Sequence, residues 1–307
     1  MSDWGKGVNN NIGWGQGADN DIGWGSIYDK SNAGETLLKS DLNIDAFIIE
    51  VDTSKPGTSN DNQFQFTGAQ GDYDVVAKQN DIIVQTFNDL SGEETITFAN
   101  GAGTYILEVN AKATNGFTGM RFNFTGDRLK LLKVKQWGVF NDTRNFLFNG
   151  CERLIEIAND VNWLNSRTTL RGVFRTTKKL VILPNTLSLL NCRDGTNTFQ
   201  SSGLDSLPDV MVLDNLETGS LMFFQNNLTD LPTGITLPNL SNGDRMLEGN
   251  TINTERYSKL LIDMEAGNNN TNVPFHGGGS KYNAAGETAR NLLIANQNWS
   301  FTDGGLA

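Results

Sequence analysis

One short pattern recurs five times between residues 128 and 252, and it limits what the chain can fold into. Apolar pairs spaced i, i+3 stand at Leu129 with Leu132, Leu154 with Ile157, Leu180 with Leu183, Leu204 with Leu207, and Leu228 with Leu231. Their first members are 25, 26, 24 and 24 residues apart, and Ile252 follows 24 further on. A second marker keeps step. Phe148 and Phe174 precede the next Leu by six residues, and Phe199, Phe223 and Leu247 precede the next Leu or Ile by five. Two markers in register are not a chance outcome in a chain that is 37% apolar. A segment of this length holds one short strand and a return, and it cannot bury its own apolar edge; stacked copies bury a continuous column. The pattern predicts a solenoid with these ten residues in its core. An amphipathic helix is the competing explanation of the Leu spacing. Pro184, Pro208 and Pro232 directly follow Leu183, Leu207 and Leu231, where proline stops a helix and ends a strand.

Residues 3–25 hold a second repeat, of period ten. Trp4-Gly5-Lys6-Gly7, Trp14-Gly15-Gln16-Gly17 and Trp24-Gly25-Ser26 head the copies, with Ile12 and Ile22 at fixed phase between them. So small a segment builds no core of its own. Each indole would bury ~150–250 Å² on docking. Trp4, Ile12, Trp14, Ile22 and Trp24 are therefore expected to pack against other chains. An arm folded back on its own domain and a Trp-rich sugar site are the alternatives.

Between the two repeats, after a polar linker at 30–43, lies a run of strand signals. They fall at 46–51, 63–66, 73–76, 81–84, 94–98, 104–109 and 120–124, separated by turn residues. Seven short strands predict a β-sandwich. Beyond the solenoid, helical spacing appears at 255–266 (Tyr257, Leu260, Leu261, Met264) and at 284–296 (Ala289, Leu292, Leu293, Ala295), and 299–302 reads as a strand. An open solenoid end exposes its core and needs a cap. The expected domains are an arm and linker at 1–43, a sandwich at 44–127, the solenoid at 128–252 and an α/β cap at 253–307. The fold class is mainly β.

Charge narrows function. The chain has 24 basic and 35 acidic residues, a net of −11, which argues against nucleic acid and anionic membranes as partners. Met1-Ser2-Asp3-Trp4-Gly5 has no basic start or apolar core, so no signal peptide is expected and synthesis is placed in the cytoplasm. Cys151 and Cys192 are the only cysteines; they offer no metal motif, and Cys151 falls in a buried small-residue slot. No metal or cofactor is expected. His276, the one histidine, sits near Ser280, a weak basis for a triad. The run Gly277-Gly278-Gly279-Ser280-Lys281 puts Ser before Lys and fails as a phosphate loop. Lys178-Lys179 and Arg171 to Arg175 read as a solvated basic face, and Glu93-Glu94 and Asp19-Asp21 as turn residues. No catalytic constellation emerges.

Several stretches resemble known families. Phe148-Asn149-Gly150-Cys151-Glu152-Arg153-Leu154, with Met222-Phe223-Phe224 and Met246-Leu247, resembles the BspA-type leucine-rich repeats of bacterial surface and phage proteins. The Trp-Gly arm is similar to N-terminal repeats of bacteriophage tail and fibre proteins. Residues 47–52, Gly103-Thr104-Tyr105 and 124–138, with Gly126-Asp127-Arg128-Leu129-Lys130-Leu131-Leu132 and Gln136-Trp137-Gly138, resemble a PKD-like or immunoglobulin-like sandwich; Gln70-Gly71-Asp72-Tyr73 departs from that family's Trp-Gly-Asp-Gly turn. Residues 276–282 and 299–305 are similar to a C-terminal module of phage repeat proteins. The resemblance implies a non-enzymatic structural protein of a bacteriophage virion, at the tail, neck, fibre or capsid surface. Its arm would bind other virion proteins, its copies would form a homo-oligomer, a trimer by preference, and its repeats would offer a surface to host glycans or proteins. A BspA-type bacterial adhesin is the alternative, and a polysaccharide depolymerase a third reading.

Overall fold

The computed structural model describes residues 43–307 and, before them, the backbone of an antiparallel pair, β1 (Tyr28–Lys30) and β2 (Thr36–Leu38). Trp4, Ile12, Trp14, Ile22 and Trp24 lie outside the described residues. The chain divides into two compact units, Met1–Ile44 and Asp45–Ala307. The second is mainly β with a multi-strand sheet.

That sheet has six strands in the order β10-β9-β3-β8-β5-β6. They are β3 (Phe47–Asp52), β5 (Asp72–Gln79), β6 (Ile82–Ser91), β8 (Thr104–Ala111), β9 (Leu131–Gln136) and β10 (Glu156–Ile157). Period-two alternation drives one face inward: Phe47, Ile49 and Val51; Tyr73, Val75 and Ala77; Tyr105, Leu107 and Val109 are all buried. The β5–β6 turn places Asn80 and Asp81 at φ of 51° and 63°, the left-handed pair that Asn and Asp tolerate in a tight hairpin. A second layer is small: β4 (Gln63–Gln65) paired with β7 (Thr95–Thr97). It is tied to the sheet by Phe66 set edge-on to Tyr73 at 5.3 Å and Phe98 stacked on Tyr105 at 3.9 Å.

Two sequence expectations change here. The seventh strand, at 120–124, is irregular chain, though Met120 and Phe122 are buried. The sheet instead recruits β9, antiparallel beside β3, so a single sheet runs across the boundary expected at 127/128. An open β3 edge would leave a row of backbone groups unpaired, and β9 fills it.

The first apolar pair also shifts. Glu156 lies opposite Lys133 and Ile157 opposite Val134, which sets Leu154 against Leu131. Leu131 and Val134 are fully buried, whereas Leu129 and Leu132 are only half-buried. The later pairs are buried, but their two members differ. Leu154, Leu180, Leu204 and Leu228 are wholly enclosed. Ile157, Leu183, Leu207 and Leu231 retain 4%, 3%, 8% and 6% of their surface. Both members of each later pair belong to the same buried core. For Leu183, Leu207 and Leu231 the chain turns away at once through the following proline. Ile252, with 1% exposed, matches the enclosed first members.

From residue 146 onward, successive 24–26-residue segments lie side by side in parallel. Thr169 bridges to Asp194, Asp194 to Thr218 and Thr218 to Asn242. Alternate amides donate to the next segment: Phe148 to Val173, Phe174 to Thr198, Phe199 to Met222 and Phe223 to Met246. The rings follow. Phe148–Phe174, Phe174–Phe199 and Phe199–Phe223 stack at 5.8, 5.7 and 5.8 Å with interplanar angles of 12°, 7° and 5°. An aromatic cluster joins this column to the sheet, since Trp137 meets Phe47 at 6.1 Å and Phe148 at 5.6 Å.

Each turn after a Phe strands backbone polar groups in the interior, and from Thr177 onward a side chain at one recurring place bonds to them. Asn226 Nδ2 donates to the carbonyls of Phe199 and Phe223, both at 2.9 Å, and its Oδ1 accepts from Leu204 N at 2.9 Å. Asn250 repeats this with Phe223, Leu247 and Leu228. Ser202, Thr177 and Cys151 hold the same place earlier, the first two bonding Phe174 O. Two left-handed residues also recur per segment. One series is Phe146, Gly172, Asn197, Leu221 and Arg245; the other is Phe124, Gly150, Thr176, Ser201, Gln225 and Gly249.

The far end is closed by α2 (Thr254–Gly267) and α3 (Ala284–Gln297), N-capped by Asn253 and Asn283. Gly286 lets the helices meet: a Cβ there would lie 3.0 Å from Ser258 Cα. The parallel bonding continues through β11 (Pro274–His276), which bridges to Gly243 at Phe275 and pairs with β12 (Ser300–Thr302). Arg290 binds the buried Asp303 at 2.9 Å. A four-residue helix, α1 (Asn162–Asn165), completes the described elements.

One buried ion pair pins the loop after β3. Lys130 and Asp127 have side-chain exposures of 0% and lie 3.6 Å apart. Lys130 Nζ donates to Ser59 O, Ser59 Oγ, Asn60 O and Gln63 O at 2.8–3.1 Å, while Asp127 accepts from the backbone N–H of Ser59 and Gln65 and from Ser59 Oγ. Lys130→Met should lower unfolding free energy by about 3–5 kcal/mol, because it leaves a buried carboxylate and several carbonyls unpaired. Urea denaturation checks this; a loss under about 1 kcal/mol would contradict the buried cage. Asn226→Ala should cost about 2–3 kcal/mol in the same assay, while the exposed neighbour Asn227→Ala should cost far less.

Candidate functional site

The positions after each buried Leu face outward and form two surface columns. One reads Leu132, Ile155, Val181, Asp205, Thr229, Asn253; the other reads Lys133, Glu156, Ile182, Ser206, Asp230, Thr254. Ile155, Val181 and Ile182 are exposed by 45%, 37% and 65%, beside the charged Lys133 and Glu156, and from Asp205 onward both columns are polar or acidic. At their polar end a cavity of about 300 Å³ opens between Thr229, Thr251, Asn253, Gly279 and Lys281.

A second surface gathers around Phe124, on the return side. The residue is 45% exposed. The Arg128 guanidinium stands 5.5 Å from the ring centroid and that of Arg175 at 6.0 Å. Glu152 lies between Arg128, at 3.3 Å, and Lys178, at 2.8 Å. The Lys178 hydrogen bond holds the Glu152 carboxyl below the usual carboxylate range, and Arg128 adds to this. Arg171 faces Asp194 at 3.8 Å. The basic stretch expected to be a plain solvated face is thus partly organised on an aromatic ring. Nothing in the sequence pattern assigns Phe124 this role, because it sits inside what reads as a strand.

The remaining candidates have structural partners. His276 Nδ1 accepts from Gly278 N at 3.1 Å, and its Nε2 lies 3.8 Å from Glu248. Ser280 Oγ accepts from Ile252 N at 2.8 Å, in the place Asn250 and Asn226 hold in earlier segments. Glu93 accepts from Gly68 N and Gln65 Nε2. Asp19 and Asp21 lie outside the described residues. Among the described residues, no group of three His, Cys, Asp or Glu side chains is placed to hold a metal ion, and no helix is long and apolar enough to cross a membrane.

Both cysteines are free and buried. Burial pushes the Cys192 thiol up to about 12, with Asp194 adding to the rise, and pushes Cys151 well above its ordinary range. Neither is a thiolate near neutrality, and neither is reached by solvent. At pH 8 the native protein should react with a disulfide reagent at fewer than about 0.1 thiols per chain, and at both after denaturation; a fast native reaction of either would contradict the packing. No protein-family model, curated protein or solved structure matches this chain.

Proposed function

We propose that the chain is a non-enzymatic structural component of a bacteriophage particle, displayed on its tail, neck, fibre or capsid. In this reading residues 128–252 form a leucine-rich-repeat-type solenoid, preceded by an immunoglobulin-like or PKD-like sandwich, closed by the α/β cap and carried on the N-terminal arm. The observation that carries it is the coincidence of two repeats of different kind in one chain. The ring column at 148–223 repeats every 24–26 residues, and the tryptophans at 4, 14 and 24 repeat every ten. The first gives a body of stacked segments whose outward columns mix apolar and charged residues at first and are polar or acidic from Asp205 onward. The second gives a leader whose indoles find burial against other molecules. Attachment through the arm, with homo-oligomer formation, is the better supported half. Binding of a host glycan or protein by the outward columns is the other half. A bacterial surface adhesin of BspA type is the second reading, favoured by the same repeats and opposed by an arm suited to docking in an assembly.

Deleting residues 1–28 tests the anchoring half. The shortened chain should keep its thermal midpoint, lose its oligomeric state in light scattering and fail to enter particles. A truncated chain that still assembles and incorporates overturns the proposal.

A further inference from the structure

We propose that the surface around Phe124 binds an acidic saccharide, a sugar carrying carboxylate or sulfate groups. The assignment names a ligand for the surface-binding half of the proposed function and rests on it.

Charge sign comes first. The chain carries a net of −11, yet here Arg128, Arg175 and Lys178 converge with only Glu152 among them. Arg128 and Lys178 share that carboxylate. Arg175 has no carboxylate partner among the described residues; its Nε is buried without a hydrogen bond, so the terminal N–H groups are the ones a ligand can meet. The ring fixes this guanidinium by cation–π attraction without using its N–H donors. A planar donor fork held in place matches a carboxylate or sulfate by paired hydrogen bonds.

The aromatic side chain comes second. Phe124 has φ of 66° and follows Asn123 at 44°. Left-handed φ recurs at this place in every later segment, where Gly150, Thr176, Ser201, Gln225 and Gly249 occupy it. None of those five is an aromatic. The left-handed φ belongs to the turn and assigns no function by itself; what sets Phe124 apart is a side chain that packs against Gly150, where a Cβ would lie 2.6 Å from its Cδ1, and still leaves the residue 45% exposed. The exposed ring supplies the apolar surface on which the C–H face of a pyranose can rest, beside the cations that hold its acidic group. Carbohydrate fits better than nucleic acid, which needs a longer basic stripe than one patch on an acidic chain.

Isothermal titration of the full chain tests this with three octasaccharides: octagalacturonate, a chondroitin sulfate octamer and neutral maltooctaose. At least one acidic octamer should bind at low salt, weaken as salt rises and exceed maltooctaose by about tenfold or more. Phe124→Ala and Arg175→Gln should each weaken it by about tenfold, with the circular dichroism melt of Arg175→Gln unchanged. Lys281→Gln, in the other surface, should leave affinity as it was. Binding of neither acidic octamer, equal binding of maltooctaose, or affinity unmoved in Arg175→Gln would overturn the site. These outcomes leave the arm-deletion result untouched, so failure of the site is distinguishable from failure of the anchoring reading.

Discussion

No single segment of this protein can bury its own apolar edge, and the rest of the structure follows from that. Phe174 is buried because Phe148 lies on one side and Phe199 on the other. Its amide is bonded because Thr198 O is there to accept it. Interactions of this kind are individually small and act as a sum over neighbours. The two ends of such a row lack one neighbour each, and each end is closed by different means. At one end β10 and β9 hand the parallel bonding to an antiparallel sheet, with Trp137 and Phe47 filling the corner. At the other, α2 and α3 replace the irregular return segments while β11 and β12 continue the row.

Buried irregular backbone is the difficulty this arrangement must meet. Carbonyls facing inward at the Phe turns have no strand beside them, and an unpaired buried carbonyl is costly. Asn226 and Asn250 each satisfy two carbonyls and one amide. Ser202 and Thr177 both serve the Phe174 carbonyl. Cys151 fills the slot without a strong hydrogen bond, which sets it among the adaptable, solvent-excluded positions rather than the reactive ones. The recurring left-handed residues serve the same geometry, since they tighten the turn enough for alternate amides to reach the next segment.

Much of the row was legible in the sequence. The pairs from Leu154 to Leu231 and the column of Phe148, Phe174, Phe199 and Phe223 are buried, but of the short strands expected at those pairs only Glu156–Ile157 forms. The first pair was misplaced. Leu129-Lys130-Leu131-Leu132 with Val134 offers i, i+3 spacing in two phases, and only pairing with β10 selects Leu131 and Val134. Lys130 was equally hidden, because a lysine among Lys133 and Lys135 reads as solvated while its cage comes from residues 59–63, far away in sequence. The surface at Phe124 depends on Arg175 reaching it from another segment, and no local motif encodes such a meeting. The arm's tryptophans stay an expectation about partners.

The proposed display role rests on a row that presents fixed side chains at fixed spacing. That view depends on the segments being bonded to each other as described. Residue-resolved amide hydrogen exchange measures it most directly. The amides of Phe148, Phe174, Phe199 and Phe223 should be among the slowest in the chain and share a common opening free energy, while those of the exposed Asp209 and Thr229 exchange far sooner. Exchange of those four phenylalanine amides at the rate of exposed turns would show that the segments do not hold one another, and the account would fail.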